Sequence, residues 1–251
     1  MNYRETLYRD YSANFSEQRA QAPKENQFEM YPRLYASSIL PAKEATIGDL
    51  GCGRGEWLQW LSSLGYRQLH GIDMAASELA LSLDDTSIKW QEGEVTPLLQ
   101  SEENSEFFDL LHAKDLFEHF TKNEAVSFLQ SCHQALKPGG ELWIMTFNAQ
   151  SPLSTATRYG DFTHENGITP NSMAQVLRAC DFEIISVRGI HPHPSGLKGT
   201  LRHALFSLFE KTSSLLLRLR HGGAVAHSSV DSYSCSTDVF AIARKKISVQ
   251  A

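Results

Sequence analysis

Short apolar runs alternate with amphipathic segments from residue 45 to the end of the chain. The apolar runs predict β-strands at 45–50, 69–72, 88–91, 107–113, 141–147, 182–187 and 239–243. In the amphipathic segments the apolar residues recur every three or four positions, which predicts helices at 56–64, 75–83, 123–136 and 170–180. Strands that alternate with helices indicate βαβ units with right-handed crossovers. The pattern therefore predicts an α/β fold with a doubly wound, Rossmann-like sheet.

The segment before this alternation, residues 1–44, is polar with scattered aromatic residues, and we expect it to form an N-terminal helical cap. Its predicted helix, 27–39, carries one aromatic and aliphatic side, formed by Phe28, Tyr31, Leu34 and Tyr35. The main domain is expected over 45–251. In its helix 123–136 the expected inward residues are Val126, Leu129, Cys132 or His133, and Leu136.

One long segment departs from the alternation, within an expected helical insertion at 189–235. Residues 199–221 predict a helix with a leucine-rich stripe and basic residues elsewhere, where Glu210 is the only acid. Basic amphipathic helices lie on anionic membrane surfaces, and amphipathic helices also pack on domains, over clefts or in dimer seams. The sequence leaves these alternatives open.

Composition narrows the class of protein. The 251 residues are 41% hydrophobic and 21% charged, which excludes a disordered or fibrous chain. No apolar run is long enough to span a membrane, and the start of the chain lacks the apolar segment of a signal peptide. Four widely separated cysteines favour reduced thiols over disulfides or a zinc site. We therefore expect a cytoplasmic protein.

The net charge of −6 is unevenly distributed along the chain. Residues 1–188 carry 15 Lys and Arg against 26 Asp and Glu, whereas residues 189–251 carry 8 against 3. The acidic main domain offers no basic stripe for phosphates, so we expect no nucleic-acid partner. The basic end of the chain favours contact with an anionic partner, and the inner face of a membrane is one such partner.

A glycine-rich turn between a predicted strand and helix is the sharpest chemical signal. The turn, Gly51-Cys52-Gly53-Arg54-Gly55, lies between Asp49 and Glu56, so a phosphate would meet negative charge there. Asp73 ends the next strand, where a carboxylate can accept both hydroxyls of a ribose. Glu94 follows the third strand and could bind an adenine edge. An adenosine with an amino-acid tail and no phosphate is S-adenosylmethionine (SAM).

These segments resemble the successive motifs of class I SAM-dependent methyltransferases. The matching segments are 49–55, Gly71-Ile72-Asp73, 108–111 with Glu118-His119, and 136–140. The resemblance implies a seven-stranded sheet whose last strand is antiparallel. It assigns Asp49, Gly51 and Gly53 to the methionine end of SAM, Asp73 to the ribose, and Glu94 with Val95 to the adenine. By position it adds Cys52, Met74 and Ala113 to the cofactor site.

The loop after the fifth strand carries the candidate catalytic groups. Methyl transfer to a hydroxyl needs a base near the acceptor, and His164 is the candidate, with Asp161 as a second acid–base or orienting group. Glu118-His119 is expected to be structural. No metal is expected, because His191-Pro192-His193 has no nearby acid to complete a metal site.

A second resemblance concerns the acceptor. Segments 53–58, 160–165 and 169–172 are similar to methyltransferases of bacterial surface-polysaccharide biosynthesis, which implies a saccharide or lipid-linked glycan as acceptor. Trp57, Tyr159 and Phe162 could stack on sugar rings. The alternatives are a small-molecule or quinone-type O-methyltransferase, whose Glu-His pair after strand four is similar, and a non-catalytic SAM-binding module.

Overall fold

The computed structural model describes residues 3, 7, 30–75, 79, 87–191, 194–221 and 229–247. Seven strands form one sheet in these residues. They are β1 (Thr46–Leu50), β2 (Gln68–Asp73), β3 (Ile88–Glu92), β4 (Phe108–Lys114), β5 (Leu136–Phe147), β6 (Phe182–Ile190) and β7 (Asp238–Lys245). Each corresponds to a predicted strand. The largest difference is at β5, which begins at Leu136 and includes the Pro138-Gly139-Gly140 segment that was expected to precede it.

The strand order is β3-β2-β1-β4-β5-β7-β6. β1 pairs in parallel with β2 and β4, and the neighbouring pairs on both sides are also parallel. β7 runs antiparallel to β5 and β6. The predicted α/β fold with an antiparallel last strand is thus confirmed. The strand order reverses at β1, so a ligand crevice is expected beyond its carboxyl end.

Helices cover both faces of this sheet. They are α1 (Glu56–Ser63), α2 (Val95–Leu99), α3 (Lys122–Ala135), α4 (Ser154–Arg158), α5 (Pro170–Ala179) and α6 (Gly196–His221). The helix predicted at 75–83 lies almost entirely outside the described residues, as does most of the predicted cap 1–44. Residues 30–34 are helical, and Tyr31 and Tyr35 stack on Trp60 of α1. The division of the chain at residue 44 remains a prediction.

The core lies on the two faces of the sheet. One cluster packs α3 and α5 against β4, β5 and β7, with Phe128, Leu142 and Leu177 fully buried. The other packs α1 and residues 31–35 against β1 and β4, with Leu58 and Ile47 fully buried. Within the described part of the chain, no helix is long and apolar enough to cross a membrane.

The inward side of α3 differs from the predicted one. Leu129 and Cys132 are buried as expected, but Val126 is 38% exposed and Phe128 takes the inward position. Leu136 is buried as the first residue of β5 instead of the last of the helix. The helix has turned its aromatic residue inward because Phe117 and Phe120 offer ring contacts at 6.1 and 4.9 Å between centroids. The stripe is therefore rotated from the predicted one by about one residue.

Replacing Phe128 with alanine should destabilise the fold by about 3–5 kcal/mol, because it leaves a cavity between α3 and the sheet. Val126→Ala on the same helix is the matched control and should change the free energy of unfolding by no more than about 0.5 kcal/mol. Urea denaturation of the three proteins measures both values. Equal losses for the two variants would contradict the observed orientation of α3.

Candidate functional site

The glycine-rich turn after β1 adopts a conformation that requires glycine. Gly51, Gly53 and Gly55 have φ angles of 69°, 53° and 72°, in the left-handed region. The backbone N–H groups of Gly51 and Cys52 both donate to the carbonyl oxygen of Ile72, at 2.8 and 3.1 Å. The turn is thereby fastened to the end of β2 and leads directly into α1.

The glycines of this turn differ in how much space surrounds them. A Cβ atom on Gly53 would meet no atom within 4 Å, whereas one on Gly51 would contact Leu116 at 3.1 Å. The half-buried ring of Trp90 packs against Gly55 and Gly71, where a Cβ would overlap it. The open side of the turn is therefore at Gly53, and a ligand can approach the backbone there.

Asp73 stands at the end of β2 and faces this turn. Its Oδ2 accepts a hydrogen bond from the Gly53 N–H at 2.7 Å, and its Oδ1 accepts one from the Ala75 N–H at 2.8 Å. The carboxylate thus lies beside the open position at Gly53, and its binding of the ribose remains a prediction. Each carboxylate oxygen can accept more than one hydrogen bond.

Beneath the turn lies a buried chain of hydrogen-bonded polar groups. The sequence analysis missed this chain. His112 of β4 lies between Asp49 and Tyr35, with Nδ1 to Oδ1 at 2.7 Å and Nε2 to the phenolic oxygen at 2.6 Å. Burial raises the pKa of Tyr35 well above its usual value, so its hydroxyl donates to Nε2 and Nδ1–H donates to Asp49. Trp57 stacks on His112 at 3.9 Å between centroids. Asp49 is thus held in one orientation beneath the turn.

The buried position of Trp57 corrects one expectation. Its side chain is 2% exposed and packed on His112, so it cannot stack on a sugar from solvent. Tyr159 and Phe162, the other two rings of that expectation, are 75% and 83% exposed.

The remaining predicted cofactor residues surround the same edge of the sheet. Glu94 is exposed just before α2, Val95 is buried at its first position, and Met74 is exposed beyond β2. Ala113 is fully buried and pairs in register with Leu50. Burial, and next the charge of Asp49, raise the pKa of the Cys52 thiol, so this residue stays a neutral thiol in the turn.

Acidic and basic groups meet beyond the end of β4. Lys114 forms an ion pair with Asp115, and Glu118 is buried, with Oε2 accepting a hydrogen bond from Thr146 at 2.8 Å. Burial and the neighbouring negative charge of Asp115 raise the pKa of Glu118 to about 8. Glu118 therefore carries a proton at neutral pH.

The loop after β5 folds onto this group. The N–H groups of Glu165 and Asn166 donate to the Glu118 carbonyl oxygen at 2.8 and 3.1 Å, and Arg158 donates to the carbonyl oxygens of His164 and Glu165. These bonds bring His164 to His119, with ring centroids 4.8 Å apart. We expected a structural role for Glu118-His119, and both side chains lie beside the candidate base.

The orientation of His164 comes from a backbone carbonyl. Its Nδ1 lies 3.0 Å from the Thr157 oxygen, which can only accept, so Nδ1 carries the proton and Nε2 is the proton-accepting atom. The expected orienting carboxylate, Asp161, instead accepts hydrogen bonds from the N–H and hydroxyl of Thr163. The Thr163 oxygen in turn lies 2.9 Å from Nδ1 of His119. Asp161 therefore acts on His119 through Thr163.

Together these groups form an acid–base cluster at the carboxyl edge of the sheet. Burial, and next the charge on His164, lower the pKa of His119 to about 4, so its ring is neutral at pH 7. One ligand-type atom from each of Glu118, His119 and His164 lies within 4.8 Å of the others. Such a trio can pass a proton, and it is also compact enough to share a cation.

A comparison with protein families identifies the family to which the chain belongs. A family described as "Methyltransferase domain" matches residues 5–187, well over half of the chain. The chain belongs to the class I SAM-dependent methyltransferases. The predicted family and fold are confirmed, and the cofactor of this methyltransferase is SAM.

Individual relatives agree with the family. The mitochondrial ubiquinone biosynthesis O-methyltransferase of Rattus norvegicus is 29% identical over 171 residues, 61% of this chain and 49% of that protein. The ubiquinone biosynthesis O-methyltransferase of Paracidovorax citrulli is 26% identical over 188 residues, 68% of this chain and 75% of that protein. The chain spans about half the length of the mitochondrial relatives. A SAM-dependent methyltransferase from Archaeoglobus fulgidus shares the fold, with a TM-score of 0.64 at 17% identity over 93% of this chain and 99% of that one.

The local structure of this methyltransferase fits its cofactor. The open side at Gly53 allows close approach to the backbone, and the carboxylate of Asp73 stands beside it. Asp49 and Glu56 add negative charge on either side of the turn. A sulfonium cation is favoured in such surroundings, and a phosphate is not.

Stability should depend on pH through Glu118. In the folded state its pKa is raised to about 8 from 4.5, so folded molecules retain a proton that unfolded chains have lost. The free energy of unfolding contributed by this group therefore falls as the pH rises from about 4.5 to about 8.

Glu118→Gln cannot ionise and can still contact Thr146, so its stability should fall less than that of the unaltered protein between pH 5 and pH 8. Urea denaturation at the two pH values measures the difference, with the exposed Glu103→Gln as the control. Identical pH dependence in all three proteins would refute the raised pKa of Glu118.

Proposed function

We propose that this methyltransferase transfers the SAM methyl group to a hydroxyl of a small phenolic, quinone-type acceptor with an apolar portion. The names of the relatives carry this proposal, because the first relatives matched are ubiquinone biosynthesis O-methyltransferases from animals and bacteria. This is the small-molecule or quinone-type alternative of the sequence analysis, which rested on the Glu118-His119 pair after the fourth strand. The cluster of Glu118, His119 and His164 supports it by supplying a base at the edge where ligands of such sheets bind.

The proton of the acceptor hydroxyl goes to His164 in this proposal. Its Nε2 accepts the proton while Nδ1–H stays on the Thr157 carbonyl, which keeps the ring in one orientation. SAM, when bound, supplies a methyl carbon on a sulfonium and takes the bonding electron pair as the C–S bond breaks. Neutral His119, fixed through Thr163 and Asp161, adds a second accepting ring nearby.

The cofactor residues keep the roles that the sequence implied. Asp73 binds the ribose hydroxyls, and Asp49, Gly51 and Gly53 bind the methionine end. Glu94 and Val95 border the adenine, and Cys52, Met74 and Ala113 complete the cofactor site by position. The open side at Gly53 and the position of Asp73 beside it support this arrangement.

Asp73→Asn should weaken SAM binding, because it removes the charged acceptor for the ribose hydroxyls. The expected loss is about 1–3 kcal/mol, or roughly 5- to 150-fold in Kd by titration calorimetry. Glu92→Gln is the matched control, since Glu92 is exposed and pairs in register with Asp73 on the next strand. Unchanged affinity in the Asp73 variant would remove the ribose assignment.

A saccharide acceptor is the second candidate. The exposed rings of Tyr159 and Phe162 favour it, because they flank the loop that carries His164 and could stack on a sugar. Arg158 lies over the Tyr159 ring at 5.4 Å from its centroid. A sugar hydroxyl would use the same base.

Methyl-labelled SAM distinguishes these acceptors. The protein is incubated separately with hydroquinones that do or do not carry an alkyl tail, and with a polysaccharide and lipid-linked glycan fraction. Label in the tailed hydroquinone is the expected result, whereas label only in the glycans would move the proposal to the saccharide. SAM binding without label in any fraction would favour a non-catalytic module.

In the same assay His164→Gln should lower kcat by about 10²–10⁴-fold with unchanged SAM affinity, because a general base contributes about that much. His221→Gln, an exposed histidine of α6, is the control. Full activity of the His164 variant would exclude it as the base. A parallel reaction with a chelator tests whether Glu118, His119 and His164 bind a metal ion. Unchanged turnover agrees with proton transfer by these residues. Loss of turnover that a divalent cation restores would show that they bind a metal ion instead.

A further inference from the structure

The longest helix, α6, occupies an unusual position for its composition. None of its 26 residues is buried. It follows β6, which ends at Ile190, and it precedes β7, which begins at Asp238 and pairs with both Ile190 and Phe147. Both connections therefore lie at the edge of the sheet where β5 ends and where the loop carrying His164 begins.

The polar side of α6 faces the domain. Glu210 is ion-paired with His191 at 3.0 Å, and Ser214 is hydrogen-bonded to Cys235. Arg218 reaches Asp231 at 3.6 Å. An amphipathic helix on a water-soluble domain normally buries its apolar side, and here that arrangement is reversed.

The apolar side consequently points away from the protein. A stripe of seven leucines, each between 55% and 88% exposed, runs the length of the helix, and we call it the leucine stripe: Leu197, Leu201, Leu205, Leu208, Leu215, Leu216 and Leu219. Successive leucines of the stripe are 4, 4, 3, 7, 1 and 3 residues apart. At 100° per residue these spacings place them within about one third of the helix circumference. Contiguous exposed apolar surface of this kind marks an interaction site.

Basic residues border the leucine stripe on both sides. At 100° per residue, Lys198, Arg202 and Arg220 follow it on one side, and Lys211 and Arg218 on the other. The only acid of the helix, Glu210, faces the domain and is ion-paired there. An apolar strip between two rows of cations complements a surface that is apolar inside and anionic outside.

We propose that α6 lies in the surface of an anionic lipid bilayer, with the leucine stripe among the acyl chains and the side chains of Lys198, Arg202, Lys211 and Arg220 at the headgroups. Long basic side chains reach headgroups while their stems remain in apolar surroundings, and anionic lipids attract such residues. The helix lies flat because nothing in the described chain is apolar enough to span a membrane.

Charge argues against a second copy of the chain as the occupant. In a symmetric contact between two copies of α6, the cations bordering one stripe would face those bordering the other. No carboxylate of the helix could separate them, because Glu210 is turned inward. Anionic lipid supplies the missing negative charge.

Vesicle co-sedimentation tests this inference without SAM or acceptor, so its outcome is independent of the proposed function. The protein should bind vesicles containing phosphatidylglycerol at least tenfold more strongly than pure phosphatidylcholine vesicles. Raising the salt concentration should weaken the binding, because the headgroup attraction is screened.

Leu201→Gln/Leu208→Gln should lower the binding at least tenfold. Glutamine keeps the helix propensity of leucine, and unchanged circular dichroism and SAM binding verify the fold. The matched control is Ile39→Gln/Val126→Gln, two exposed apolar residues outside α6, which should bind as before. Lys198→Gln/Lys211→Gln should reduce the preference for anionic vesicles, and the exposed pair Lys89→Gln/Lys122→Gln should not.

Three results would overturn the proposal. The first is no binding to anionic vesicles. The second is equal binding by the leucine variant and the unaltered protein. The third is a dimer in sedimentation equilibrium that the leucine variant abolishes, without vesicle binding, which would assign the stripe to a second copy.

Discussion

The carboxylate of Asp73 joins the ends of two neighbouring strands. By accepting hydrogen bonds from Gly53 and Ala75, it holds the turn after β1 to the segment after β2. It adds to the two hydrogen bonds by which Gly51 and Cys52 hold this turn to Ile72, and three glycines of the turn have left-handed backbones that other residues rarely adopt. The start of α1 and the open side at Gly53 both depend on this fixed turn.

The fold was largely predictable from the sequence because its signals are local. Strands buried on both faces are short apolar runs, and glycine or proline ends the helices between them. The orientation of α3 was not predictable in the same way. Two overlapping stripes share Leu129 and Cys132, one with Val126 and the other with Phe128. Only the tertiary contacts of Phe128 with Phe117 and Phe120 decide between them.

The site residues likewise divide into those with a local sequence signal and those that depend on tertiary contacts. The glycine turn, Asp49 and Asp73 carry a local pattern, and the sequence analysis found them. The chain from Asp49 through His112 to Tyr35 joins residues 63 and 77 positions apart, and nothing near His112 in sequence indicates those partners. His164 was found as a candidate, but its orientation comes from a backbone carbonyl, which has no sequence signature. The raised pKa of Glu118 likewise follows from burial. The adjacent residues Glu118 and His119 carry no sequence signal that this side chain is buried.

The packing of Trp90 against the glycine turn gives this protein an internal optical reporter. Trp57, Trp60 and Trp143 are 2%, 7% and 1% exposed and lie in the core among other aromatic rings. Trp90 is half-buried and touches Gly55 and Gly71 at the crevice. We expect a ligand that enters beside Gly53 to alter the surroundings of this indole more than those of the three buried ones. The intrinsic emission of the protein therefore registers occupancy of the crevice, with no dye or label attached.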